Sequence, residues 1–117
     1  DELLTGVRDF LRNDLASKLQ GRDGFLARVA ANSIDIVLRE LELGADAEMW
    51  ERQALHALLG RVEGRTSDLR ATLCAKIRAE DIDLRRPDLH AYLRDSVLSQ
   101  AMIDQPGYPG ALECMNR

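Results

Sequence analysis

The stretch that decides the fold is FLARVAANSIDIVLRELEL, residues 25–43, whose nineteen residues include neither proline nor glycine. Four of its polar side chains recur at i, i+4, i+7 and i+11, which places them within roughly 60° of one another on an α-helix. We call these four residues the polar stripe: Arg28, Asn32, Asp35 and Arg39. Most of the remaining circumference is apolar, formed by Phe25, Leu26, Val29, Ala30, Ile34, Ile36, Val37 and Leu41. Such a helix needs neighbours on several sides, so residues 25–43 are predicted to be the central helix of the domain.

Helix-stop signals divide the rest of the chain into four further predicted helices, over residues 2–19, 46–59, 66–79 and 88–104. Gly44 suits the left-handed position after a helix, and Asp46 suits the N-cap of the next. Pro106 and Pro109, each followed by glycine, predict an irregular tail over residues 106–117. Short connections favour antiparallel neighbours. We therefore predict an all-α fold: a single five-helix, mainly antiparallel up-and-down bundle over residues 1–105 with an irregular C-terminal tail.

Composition narrows the function classes. The net charge of −4 and the absence of a basic run longer than Arg85–Arg86 disfavour nucleic-acid binding. No window approaches 18 uncharged apolar residues and no secretory leader is recognisable, so we expect neither a membrane span nor export. Two cysteines outside any CxxC motif fit a reducing compartment, and a cytoplasmic location is expected.

The polar stripe is the first candidate for a functional surface. If solvent covers it, Asp35 and Arg39 form an ordinary i, i+4 pair worth about 0.2–0.5 kcal/mol. If another helix or a partner covers it, each charge needs a mate, and removing one would cost about 3–5 kcal/mol. The stripe is then either a covered polar seam or a cradle for an anionic ligand.

Glu40 is the second candidate, because this carboxylate lies with Ser33 inside the apolar arc of the same helix. It is either an acid or base with a raised pKa in the bundle interior, or a residue near the helix end that reaches water or an arginine. The residues predicted to bind a ligand or a partner are Arg28, Asn32, Asp35, Arg39 and Glu40.

Catalytic and metal-binding motifs are missing from the sequence. His56 and His90 lie on different predicted helices without the spacing of a zinc or di-iron site. Neither a GxSxG nor a phosphate-binding glycine motif occurs. We therefore expect no catalytic residue, no cofactor and no metal. An enzyme would have to use Asp35 or Glu40 as a base, in a cleft that shifts its pKa.

Several segments together resemble a bacterial family of small helical domains of unknown function. They are Gly21-Arg22, FLARVAANSIDIVLRELELG (residues 25–44), LLG (58–60), LCAKIRAEDID (73–83) and LHAYLRDSVLSQAMIDQPGY (89–108). The chain departs from that family at Leu26, where a histidine is common, and at Gln105, where an asparagine is common. Because no catalytic residue is known for the family, none is assigned here.

The resemblance implies a setting, since members are encoded near aminoglycoside-phosphotransferase-like kinases and acyl-CoA dehydrogenases. We expect a non-catalytic accessory or protein-interaction module, whose partner is one of these enzymes or a second copy of the chain in a homodimer. Such a module should expose a contiguous apolar patch. The alternative is a bundle that binds an acyl or anionic small molecule, which requires an apolar pocket above about 300 Å³ beside Arg28 or Arg39.

Overall fold

The computed structural model describes every residue from 1 to 117 and contains helices and turns but no strand. Five α-helices follow one another: α1 (Glu2–Asp9), α2 (Gly21–Leu59), α3 (Thr66–Arg78), α4 (Pro87–Asp104) and α5 (Pro109–Met115). A π-helical segment, Phe10–Leu15, continues α1. The all-α class and the number of helices are confirmed. The division of the chain among the helices differs from the prediction, and their antiparallel arrangement stays a prediction.

Helix α2 is continuous over 39 residues, so the predicted break between residues 43 and 46 is wrong. Gly44 and Asp46 both lie inside the helix, where neither has a capping role. A glycine inside a helix costs only about 0.5–1 kcal/mol relative to alanine. The good helix formers around it, including Ala45 and Ala47, outweigh that cost.

Gly44 predicts a stabilising substitution. We expect Gly44→Ala to raise the free energy of unfolding by about 0.5–1 kcal/mol, because alanine loses less backbone entropy in a helix. The added Cβ would meet only the carboxylate of Glu40, at 2.6 Å, and that flexible side chain can move aside.

Gly24 is the matched control for this substitution, because its Cβ would lie 2.9 Å from the backbone oxygen of Leu19, which cannot move aside. We expect Gly24→Ala to destabilise the protein by about 1–3 kcal/mol. Urea titrations followed by circular dichroism would measure both changes. A destabilising Gly44→Ala would contradict the account.

The C-terminal tail contains helix α5, which corrects the prediction of an irregular segment over residues 106–117. Pro109 is the first residue of this helix, a position at which the missing N–H costs no hydrogen bond. The guanidinium of Arg94 donates to the carbonyl of Cys114 at 2.9 Å and thereby attaches the end of α5 to α4. The same proline that ends regular structure in most contexts therefore begins it here.

Two compact units make up the chain, one formed by residues 1–44 and 103–105, the other by residues 45–102 and 106–117. We call them unit 1 and unit 2. Unit 2 has an aliphatic and aromatic core from α2, α3 and α4, consisting of Leu55, Leu58, Leu69, Leu73, Leu89 and Tyr92. Trp50 and Ile77 pack against it.

Few residues of unit 1 are fully buried. Its buried residues are Ala16, Gly24, Ala27, Ala31 and Ile103, so only one large side chain is fully covered. The small residues of α2 form its buried side, whereas most of its predicted apolar arc is exposed. Within unit 1, therefore, residues 25–43 are not the central helix that the sequence predicts. The helix itself is unbroken, but seven of its large apolar side chains in unit 1 are more than a third exposed, whereas Ile34 and Leu38 are partly covered.

Candidate functional site

Seven large apolar side chains of α2 lie exposed in unit 1, each with 36–62% of its surface accessible. We call them the apolar face: Phe25, Leu26, Val29, Ile36, Val37, Leu41 and Leu43. Their spacing places them within roughly 160° of one another on the helix, so they form a continuous surface rather than isolated contacts with solvent. Contiguous exposed apolar surfaces of this kind mark interaction sites in folded proteins.

We call α1 and the π-helical segment Phe10–Leu15 the N-terminal helix, and this helix adds further exposed apolar side chains. Leu3, Val7 and Phe10 recur at i, i+4 and i+7, and each is at least half exposed. Unit 1 thus exposes ten large apolar side chains and buries one, Ile103. Six further large apolar side chains of the unit are partly covered: Leu4, Leu11, Leu15, Leu19, Ile34 and Leu38. Folding of this unit therefore leaves a large part of its hydrophobic surface in water.

Two residues of the polar stripe, Asn32 and Asp35, contact the N-terminal helix. Arg8 of α1 and Arg12 of the π-helical segment both reach Asp35, with N–O distances of 2.9 and 2.6 Å. Arg12 also donates to the side-chain oxygen of Asn32 at 2.7 Å. Because these charge-assisted hydrogen bonds join elements far apart in sequence, they fix how the N-terminal helix packs on α2.

Asp35 is held in its charged form by this arrangement. Desolvation raises the pKa of its carboxyl, but the hydrogen bonds from Arg12 and Arg8 together outweigh it, and the pKa lies below its ordinary value. A carboxylate with a lowered pKa and two arginine partners is a poor general base at neutral pH. The structure therefore favours an architectural role for Asp35 over an acid–base role.

The remaining predicted site residues have different surroundings. Arg39 donates through Nε to the carbonyl of Ile103 at 2.6 Å and so caps the end of α4, where the helix dipole favours a cation. Arg28 and Glu40 are exposed and make no hydrogen bond or ion pair within the chain. Glu40 lies on the exposed side of α2 and not in a bundle interior. The five residues consequently do not converge on one pocket.

Unit 2 contains a polar cluster that the sequence analysis missed. Both carboxylate oxygens of Glu51 accept hydrogen bonds from Arg70, at 2.5 and 2.7 Å. The hydroxyl of Tyr92 donates to the same carboxylate at 2.8 Å, and the Tyr92 ring stacks with Trp50 at a centroid distance of 6.1 Å. A signal existed, because Glu51 shares a helix face with Leu55 and Leu58 at i, i+4 and i+7.

The cluster lowers the pKa of Glu51 and raises that of Tyr92. The hydrogen bonds from Arg70 lower the pKa of Glu51 against the opposing effect of desolvation, and the Tyr92 hydroxyl lowers it further. Desolvation and the neighbouring carboxylate raise the pKa of Tyr92 well above its ordinary range. Both oxygens of the Glu51 carboxylate are paired, and these hydrogen bonds tie α2, α3 and α4 together.

An apolar groove of about 600 Å³ lies between α4 and α5 in unit 2. It is lined by Leu93, Arg94, Val97, Leu98, Ala101, Tyr108, Gly110, Ala111 and Cys114. Its volume exceeds the roughly 300 Å³ expected of a small-molecule site. However, neither Arg28 nor Arg39 lines it, and Arg94 is already engaged with Cys114. The groove does not combine the features that the ligand-binding alternative requires.

The structure holds no group of three or more His, Cys, Asp or Glu side chains arranged to bind a metal ion. No helix is both long and apolar enough to cross a bilayer. A family model described as "Domain of unknown function (DUF6285)" matches residues 17–108. No curated protein and no solved structure matches the chain.

Proposed function

Because the chain belongs to the DUF6285 family, whose function is unknown, we propose a function from its geometry: a non-catalytic protein-interaction module that binds through the apolar face. The single observation that carries this proposal is the imbalance in unit 1, where ten large apolar side chains are exposed, six are partly covered and only Ile103 is buried. A partner that covers the apolar face would enlarge the small core of unit 1.

The exposed area of the apolar face is a large part of an interface of ordinary size. A large apolar side chain carries roughly 100 Å² of apolar surface, so the seven residues of the apolar face, slightly less than half exposed on average, present roughly 330 Å². A standard protein–protein interface buries about 800 Å² per partner, of which about 60% is apolar, or about 500 Å². The apolar face therefore provides about two thirds of the apolar area of a standard interface, and the residues that surround it would provide the rest.

Under this proposal the polar stripe positions α2 and does not contact the partner. Asp35 and Asn32 bind the N-terminal helix, and Arg39 binds the end of α4, so the three residues hold α2 in place while its apolar face stays exposed. The ligand- or partner-binding role predicted for the stripe then reduces to positioning. Arg28 and Glu40 are the two predicted residues that a partner can still reach.

Association measurements with a charge placed on the apolar face test the proposal. The candidate partners are the protein itself and the two kinds of enzyme that the sequence resemblance suggests, a phosphotransferase-like kinase and an acyl-CoA dehydrogenase. We propose that the binding takes place in the cytoplasm. We expect the wild-type protein to bind at least one of the three, and Val29→Glu to weaken that binding by at least about tenfold, because a buried unpaired carboxylate is costly.

Ala57→Glu is the matched control, because it places the same charge at an exposed position of the same helix outside the apolar face. It should bind as the wild type does. Circular dichroism would verify that both variants keep their helix content. A wild-type monomer that binds none of the three partners, or an unchanged affinity in Val29→Glu, would refute the proposed function.

A further inference from the structure

We propose that the occupant of the apolar face is α2 of a second copy of this chain, packed antiparallel about a two-fold axis, an inference that rests on the proposed function above. The first support is the sequence periodicity of the exposed side of α2. Alternating steps of three and four residues connect Arg22, Leu26, Val29, Ser33, Ile36, Glu40 and Leu43. This is the spacing of a coiled-coil seam, in which side chains of one helix insert between those of another.

Ser33 and Glu40 interrupt this seam, and the structure explains how Ser33 is tolerated in it. The Ser33 hydroxyl donates to the carbonyl of Val29 one turn earlier, at 2.9 Å. Its hydrogen-bonding need is therefore met within its own helix, and a small side chain remains that can pack against an apolar residue. Glu40 has no partner in the chain, so its mate has to come from the second copy.

Charge complementarity selects the register. In an antiparallel pair, each a position of one seam faces a d position of the other. The possible alignments therefore differ from one another by shifts of seven residues, one heptad. One alignment places Arg22 opposite Glu40 of the second copy, and the two-fold axis repeats that pair at the other end of the seam. Arg22 is exposed and unpaired in the chain. Shifting the register by one heptad in one direction sets Glu40 against Val29, and in the other direction removes it from the seam.

The same register places the apolar residues against one another. Leu26 then faces Ile36 of the second copy, and Val29 faces its Ser33. The paired segment from Arg22 to Glu40 is about 27 Å long at 1.5 Å per residue. The apolar face presents roughly 330 Å² per chain, about two thirds of the apolar area that a standard interface buries. The resulting interface is formed by α2 of each copy.

Sedimentation velocity of the full chain and its charge variants tests the pairing. We expect the wild type to have twice the 13.1 kDa mass of one chain. Arg22→Glu and Glu40→Arg should each weaken dimerisation by at least about tenfold, because each brings like charges together at both ends of the seam. An equal mixture of the two single variants should form a heterodimer, in which both ends again carry opposite charges.

Disulfide crosslinking distinguishes antiparallel from parallel pairing, in a background with Cys74→Ser and Cys114→Ser. Leu26→Cys combined with Ile36→Cys in one chain should give covalent dimers on oxidation, whereas Leu26→Cys alone should not. Crosslinking by Leu26→Cys alone would show a parallel pair and overturn the proposal. A dimer unaffected by the charge variants would overturn the proposed register.

The outcomes also separate this inference from the proposed function. If the wild type is a monomer that binds a neighbouring enzyme, and Val29→Glu abolishes that binding, the apolar face is an interaction surface but its occupant is not a second copy. If the wild type is a monomer that binds nothing, both proposals fail. If a dimer forms and Val29→Glu leaves it intact, the dimer uses another surface, and the inference drawn here is wrong.

Discussion

Replacing Leu55 by alanine is expected to lower the free energy of unfolding of unit 2 by about 2–5 kcal/mol. Leu55 is completely buried and lies in the core cluster with Leu69 and Leu89, on the half of α2 that belongs to unit 2. Truncation removes apolar contacts and leaves a cavity that rigid helices on all sides can fill only in part. No other single truncation in unit 2 is expected to cost more.

Trp50 provides the measurement, because it is the single tryptophan of the chain and packs against this core. Its fluorescence during urea unfolding reports on unit 2 whether or not unit 1 unfolds at the same concentration. Leu84→Ala is the matched control, since Leu84 is half exposed and its truncation should change stability by no more than about 0.5 kcal/mol. Equal losses in the two variants would contradict the assignment of the core.

Local signals in the sequence were sufficient for the two helices with clear boundaries. Helix α3 begins at Thr66, the first residue of the predicted helix, and Asp68 accepts a hydrogen bond from the backbone N–H of Arg65 at 3.0 Å. Helix α4 begins at Pro87, within one residue of the prediction, because proline fits the first helical turn. Caps and prolines act over a few residues, so the sequence reveals them directly.

Where several weak signals compete, the sequence was a poorer guide. Gly44 followed by Asp46 matches a helix end and a new N-cap, yet α2 continues through both. The π-helical segment has no compositional signature, although it carries Arg12 to the polar stripe. A glycine or an extra residue in a helical turn costs about 1 kcal/mol, and long-range packing decides such small differences.

The candidate surface shows the same limit more sharply. Periodicity correctly placed the polar stripe and the apolar arc on different sides of α2, because helix geometry alone determines this. Which side faces the rest of the chain depends on Arg8 and Arg12, and no local pattern links these residues to Asp35. The apolar side was predicted to be buried in the chain, and the structure leaves it exposed.

Neutralising Glu51 is the second substitution with a large expected effect, and this effect depends on pH. We expect Glu51→Gln to lower the stability of unit 2 by about 1–3 kcal/mol at pH 7, because the bidentate bond to Arg70 is lost. The full cost of breaking a buried ion pair is not expected, since about half of the Arg70 side chain is exposed and remains hydrated.

The sign of the pH dependence follows from the lowered pKa of Glu51 in the folded state. A carboxyl whose pKa is lowered by folding stabilises the protein above the unfolded-state pKa, about 4.3, and that contribution disappears as the pH falls through the folded-state pKa. The stability difference between the wild type and Glu51→Gln should thus be constant between pH 6 and 8 and shrink below about pH 4.5.

Tyr92→Phe separates the two kinds of hydrogen bond to Glu51. It removes the donor at 2.8 Å and keeps both bonds to Arg70, so we expect a loss of only about 0.5–1.5 kcal/mol. Arg70→Lys keeps the charge but cannot bind both carboxylate oxygens in the same planar geometry, and it should cost more stability than Tyr92→Phe. Urea unfolding monitored by Trp50 from pH 3 to pH 8 gives all three comparisons. If the gap between wild type and Glu51→Gln were unchanged at pH 3, the ion pair would not be the source of the stabilisation, and the attachment of α3 to α2 would have to come from the leucine core alone.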